Sequence, residues 1–231
     1  MQEVKRNNMY IESKLTELRE AFIEAGDPSK VEYMSAYLKN KFECVGLQKP
    51  VREKIVKPWL KSMSGLNWSE QKKAATWLWK QDEREFQYVA MELLFKNKKQ
   101  WTEESIDYFV KLIQTKSWWD TVDFLASTLT GSYFVKFPSH KNNKISEWIK
   151  SKNMWMNRSA MIFQLKYKYN TDVQLLFESI TPHLSSSEFF IQKAIGWSLR
   201  QLAYSNAAIV KKFVKEHDLK PLSKREALKH L

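Results

Sequence analysis

The sequence predicts an all-α fold, a solenoid of about six antiparallel helix pairs. Three observations carry this reading. Glycine and proline number only 5 and 6 in 231 residues, too few for the turns of an all-β chain, and alternating strand patterns between such residues are absent. Apolar residues instead recur at three- and four-residue intervals, the stripe that buries one face of a helix. Examples are Leu15, Leu18, Phe22 and Ile23, then Tyr88, Met91, Leu94 and Phe95, then Phe190, Ile191, Ala194 and Ile195. Finally, punctuation cuts the chain into segments of roughly 10 to 18 residues joined by short loops, which pack as antiparallel neighbours.

Taken in order, helices are expected near 10–25, 28–42, 49–62, 69–80, 83–97 and 103–115. Further ones are expected near 118–136, 142–151, 154–168, 172–184, 188–204, 206–216 and 222–231. Several starts have a physical cause. Asp27-Pro28 sets an N-cap before a first-turn proline, and Pro50 suits the opening of the third helix. Ser185 with Glu188, and Ser223 with Glu226, have capping-box spacing. Pairs of roughly 35–40 residues point to repeats of the HEAT or armadillo type, curved around a concave basic groove. Sequence self-similarity is weak, so this expectation rests on helix spacing. No long linker interrupts the pattern, which reads as a single domain over 1–231, expected to be a monomer.

Composition excludes several classes. No apolar run reaches the length of a membrane helix, and the opening MQEVKRNNMY has no apolar stretch for secretion, so a cytosolic protein is expected. A lone cysteine, Cys44, excludes an internal disulfide, and four scattered histidines give no metal-ligand spacing; neither metal nor cofactor is expected. What stands out is a net charge of +12 and 10 tryptophans. Through Thr115 there are 20 basic residues against 17 acidic ones, but from Lys116 onward 18 against 9. The second half therefore carries most of the excess, the footprint of a polyanionic partner, nucleic acid before membrane.

Three segments of that half stand out. In Thr115–Asp123, TKSWWDTVD, Trp119 and Asp123 lie four apart and so share a helix face, an indole beside a carboxylate. They also fit a plainer reading, with Trp118 and Trp119 in the core and Asp123 a solvated or capping acid. In Trp155–Lys168, WMNRSAMIFQLKYK, Arg158 sits in an apolar helix, where it either pairs with a buried acid or reaches a phosphate. In Glu188–Arg200, EFFIQKAIGWSLR, Gly196 stands mid-helix, where it costs about 1 kcal/mol against alanine. That cost points to close approach by another helix or a ligand. Lys193 and Arg200 flank Trp197 at i−4 and i+3, a cation-ringed indole suited to a nucleic-acid surface, or else a core tryptophan with two snorkelling bases. Lys116, Lys166, Lys168, Lys224, Arg225 and Lys229 are further candidates to follow a phosphate backbone.

These segments together, with PLSKREALKHL at 221–231 and YLKNKF at 37–42, closely resemble the AlkD-like family of bacterial DNA alkylation repair glycosylases. The resemblance implies a C-shaped stack of HEAT-like repeats. It implies excision of cationic N3- and N7-alkylated purines, such as 3-methyladenine and 7-methylguanine, from double-stranded DNA without metal or cofactor. By position in the motifs, Trp119 and Trp197 match the family's active-site indoles, Asp123 its catalytic carboxylate and Arg158 its active-site arginine. Tyr37 matches an N-terminal contact to DNA. The family is also associated with a lesion that stays stacked rather than flipped.

The chemistry fits those residue types. A purine alkylated at N3 or N7 is cationic and departs neutral, so it needs no general acid. The cationic, oxocarbenium-like sugar left behind needs a carboxylate, which can also orient water. Asp123 has that role in this scheme, the indoles hold the nucleotide by cation–π or CH–π contact worth about 0.5–2 kcal/mol each, and Arg158 is assigned to a phosphate. Two other readings share the charge and the periodicity. One is a HEAT-repeat protein that binds DNA without catalysis; the other is a helical scaffold for acidic proteins.

Overall fold

A computed structural model describes residues 2–231, and every named secondary-structure element among them is helical. The fold class is the predicted one, an all-α chain of the α-solenoid type. The chain divides into two compact units, Met1–Ser105 and Ile106–Leu231.

The first unit contains α1 (Gln2–Ala25), α2 (Pro28–Tyr37), α3 (Lys49–Ser62), α4 (Trp68–Lys80) and α5 (Arg84–Lys96). Helix α1 packs on α3 and α4, and α5 packs on both of those. The apolar stripe Leu15, Leu18 and Phe22 is buried as its spacing predicts, while Ile23 points outward. Asp27 caps α2 by accepting from the Ser29 amide at 2.9 Å. That helix stops at Tyr37, not near residue 42, because Lys39 and Asn40 adopt left-handed backbone with φ of 60° and 54°. The following loop is pinned by buried Glu85, which accepts from the amides of Val45, Gly46 and Leu47 at 3.0–3.1 Å. Three anchoring bonds satisfy a carboxylate whose burial would otherwise be costly.

The second unit opens with α6 (Ser105–Gln114), after which one continuous helix runs over 119–136. It consists of α7 (Trp119–Phe124), a π-helical stretch Leu125–Thr130 and α8 (Gly131–Lys136). The π stretch is wholly buried, and two of its hydroxyls donate to backbone: Ser127 to the Asp123 carbonyl at 2.6 Å and Thr130 to the Leu125 carbonyl at 2.8 Å. Gly131 makes this packing possible, since a Cβ there would stand 2.5 Å from the Phe163 carbonyl oxygen. Helices α9 (Lys141–Ile149), α10 (Met154–Ile162), α11 (Val173–Ile180), α12 (Phe189–Ala203), α13 (Ala207–Glu216) and α14 (Pro221–Ala227) complete the unit. The core joins α10, α11, α12 and α13 through Ile162, Leu176, Ile195, Leu199 and Phe213.

Helix α10 ends near Ile162, short of the expected 168, where the chain turns and Lys168 takes φ of 54°. Neither expected capping box forms. Helix α12 begins only at Phe189, so Glu188 flanks it, and the Glu188 amide donates to Ser186. Pro221 starts α14 early, which leaves Ser223 and Glu226 inside the helix and free for other partners. A capping box does form at Asn67 and Glu70, opening α4.

A candidate active site between two acid–base clusters

Helices α7, α10 and α12 pack together in the second unit and bring the strongest sequence candidates to one place. A cavity of about 380 Å³ is lined by Trp119, Asp123, Arg158, Phe189, Phe190, Lys193, Trp197 and Arg200. The four-residue spacing of Trp119 and Asp123 places both on the wall, as a shared helix face requires.

Arg158 settles between its two predicted partners in favour of the acid. Its Nε donates to Asp123 Oδ1 at 2.7 Å and its terminal nitrogen to Oδ2 at 2.8 Å, a bidentate pair. A third donor reaches the Phe190 carbonyl at 2.6 Å. The side chain is 4% exposed. Three of its five N–H donors are taken by these protein acceptors. Burial pushes the Asp123 carboxyl above the usual carboxylate range, against the opposing pull of Arg158. The pair sits against an aromatic wall in which Trp118 meets Trp155 at 5.8 Å and Phe190 at 5.1 Å between ring centroids. Trp118 thus belongs to the wall and Trp119 to the cavity.

The cations of the second cluster lie on the same helix as Trp197. Lys193 and Arg200 both line the cavity, as their spacing around the indole predicts, but they share an acid that sequence reading missed. Glu226 of α14 accepts from Lys193 Nζ at 2.9 Å and from Arg200 at 2.5 Å. These two cations hold its carboxyl down to about 2. Gly196 explains how α14 comes so near: a Cβ there would stand 2.3 Å from Glu226 Cβ and 2.8 Å from the Ser223 carbonyl oxygen. Close approach by a helix is thus the reason for the mid-helix glycine.

The remaining candidates lie outside the cavity lining. Lys166 donates to Thr128 Oγ1 at 2.5 Å and stands 5.8 Å from the Phe124 ring, and burial pushes its ammonium below the usual lysine range. Lys116 is half-buried with φ of 48°, and Lys224 and Arg225 are exposed on α14. Tyr37 belongs to the first unit, exposed on a cleft of about 440 Å³ shared with Tyr33, Cys44 and Tyr88. Phe189 and Phe190 were not singled out by sequence; Phe190 read as an ordinary member of an apolar stripe. The available signal was the doubled phenylalanine at a helix start, one of which, Phe189, stays 57% exposed.

Among the described residues no group of three or more His, Cys, Asp or Glu could hold a metal ion, and no helix is long and apolar enough to cross a membrane. Among curated proteins none matches the chain significantly. A solved structure described as a predicted DNA alkylation repair enzyme from Enterococcus faecalis is similar at 33% identity and a TM-score of 0.84, covering 89% of this chain and 96% of that one. The family model for DNA alkylation repair enzymes matches residues 18–231, a span that contains both clusters and the whole cavity. The chain belongs to the DNA alkylation repair enzyme family.

Proposed function

We propose that the cavity is the active site of a DNA glycosylase that hydrolyses the N-glycosidic bond of cationic N3- and N7-alkylated purines in double-stranded DNA. The observation that carries this reading is a carboxylate, Asp123, held by two guanidinium bonds in a cavity that it shares with two indoles. Bond cleavage leaves positive charge on the sugar. A carboxylate already desolvated and oriented stabilises that charge without reorganising at the moment of reaction. Asp123 also accepts from the attacking water, so that its proton has a direct route away. Trp119 and Trp197 hold the cationic nucleotide by cation–π contact. Arg158 keeps Asp123 ionised and fixes its rotamer. Lys193 and Arg200 meet flanking phosphates. The base leaves neutral and needs no acid, so ordinary purines, poor leaving groups, are spared.

Release of 7-methylguanine and 3-methyladenine from methylated duplex DNA tests this reading. The parent protein is expected to release both, and Asp123→Asn to slow release by about 10²–10³-fold, the size of loss when one preorganised electrostatic group is removed. Duplex affinity should persist in the variant. No release by the parent, with salt-sensitive duplex binding intact, would overturn the catalytic reading and leave a DNA-binding protein.

A further inference from the structure

Two cations line the cavity with Trp197, but the residue that decides where they point is Glu226. Its carboxylate is 14% exposed and takes one bond from each of them, with Lys193 at 2.9 Å and Arg200 at 2.5 Å. Arg200 also reaches the Glu226 carbonyl oxygen at 3.3 Å. The acid is itself held from behind. Gly196 lets the α14 backbone rest on α12, and Ser223 Oγ donates to the Gln192 carbonyl at 3.1 Å. Lys193 has a flexible four-carbon stem, and its side chain is still 38% exposed. Without Glu226 its ammonium would sample many positions, and ordering it on each binding event would carry an entropic cost.

We propose that Glu226 is a positioning residue: it gathers the Lys193 and Arg200 head groups on one carboxylate beside the cavity that they line with Trp197, so that phosphates flanking the lesion meet a preset pair of donors. The proposal rests on the glycosylase reading of the cavity. It separates binding from chemistry, which simple electrostatics does not. An acid beside a polyanion site weakens binding through charge alone, so its removal should tighten DNA. An acid that positions cations should, when removed, slow the chemistry even as binding tightens. The cluster keeps one net positive charge, two cations against one carboxylate, so DNA is attracted with Glu226 in place.

The experiment is single-turnover release of 7-methylguanine from methylated duplex with enzyme in excess, for the parent, E226Q, K193A/R200A and the triple variant. E226Q is expected to bind undamaged duplex at least as tightly as the parent, yet to excise about 10-fold or more slowly, within the range for small misplacements of reacting groups. Added to K193A/R200A, the same substitution should have no further effect on rate. Parent-like excision by E226Q overturns the proposal, and so does equal slowing in both backgrounds. Ser223→Ala loosens the docking of α14 that holds the carboxylate; added to E226Q it should slow excision no further, and an additional slowing as large as that of E226Q itself overturns the proposal, because docking then acts apart from the acid. Should the parent release no base, the glycosylase reading fails by itself. Glu226 is then tested by binding: E226Q should lose the preference for methylated over undamaged duplex, and retention of that preference overturns the proposal.

Discussion

The two acid–base clusters along the cavity are tuned in opposite directions. Asp123 has one cationic partner, Arg158, and that partner is almost wholly buried; loss of solvent dominates and the carboxyl is raised. Glu226 has two cations, closer to water, and is lowered to about 2. Burial penalises charge in proportion to the solvent removed, while each added cation favours it. A carboxylate raised by burial is one whose field is weakly screened, which suits a group that must act on a developing cation. A carboxylate charged under all ordinary conditions suits a fixed anchor. The contrast separates a reacting acid on the cavity wall from a scaffolding acid behind it.

The largest expected effect comes from removing the only cation of the buried pair. Arg158→Met keeps much of the volume but leaves Asp123 facing desolvation alone. Removal of one partner from a buried pair costs about 3–5 kcal/mol. Urea unfolding should show that loss, and the pH profile of excision should move with it. In the parent, a raised Asp123 means that excision fails, as pH falls, at a higher pH than an exposed aspartate would give. In Arg158→Met the acid limb should shift higher still, because the opposing pull is gone. An acid limb that stays in place would show that Arg158 does not hold the charge on Asp123, and the contrast between the clusters would collapse.

A smaller effect is expected at the second cluster's support. Gly196→Ala gains about 1 kcal/mol of helix propensity but drives a methyl into the α14 backbone, and overpacking of this kind costs about 1–3 kcal/mol. The net change in unfolding free energy should be destabilising, and excision should slow because Glu226 is carried away with α14. Unchanged stability would mean that α14 retreats freely and that Gly196 does not set the position of Glu226.

The two clusters were also unequally legible in the sequence. Trp119 with Asp123, and Lys193 and Arg200 around Trp197, are pairs within one helix, so periodicity alone places each on a common face. The Arg158–Asp123 bond spans 35 residues and appeared only as one of two alternatives for a buried arginine. Glu226 is 33 residues from Lys193, and its spacing from Ser223 suggested a capping box instead. Pro221 overrode that local pattern by starting the helix early. Helix existence followed from the apolar period throughout, and α3 occupies the expected 49–62. The end of α2 was lost where Lys39 and Asn40 adopt left-handed backbone, since side-chain chemistry gives little warning of such turns.

The smallest effect sharpens the contrast from the acid side of the titration. Glu226 is lowered in the folded protein relative to its ordinary value, so its ionised form contributes stability above that ordinary value. The contribution is lost as pH falls toward about 2. Screening at this partly solvated cluster limits the gain to about 1 kcal/mol. Urea unfolding between pH 5 and pH 2 should therefore show the parent losing its advantage over E226Q as the acid range is crossed, with the two curves converging at the low end. Asp123, being raised, contributes with the opposite sign: its protonation favours the folded state, so D123N cannot reproduce the convergence. A stability difference between parent and E226Q that stays constant across this range would mean that Glu226 holds its place through α14 packing and not through its charge. Its two cations would then have to be ordered by something other than the carboxylate between them.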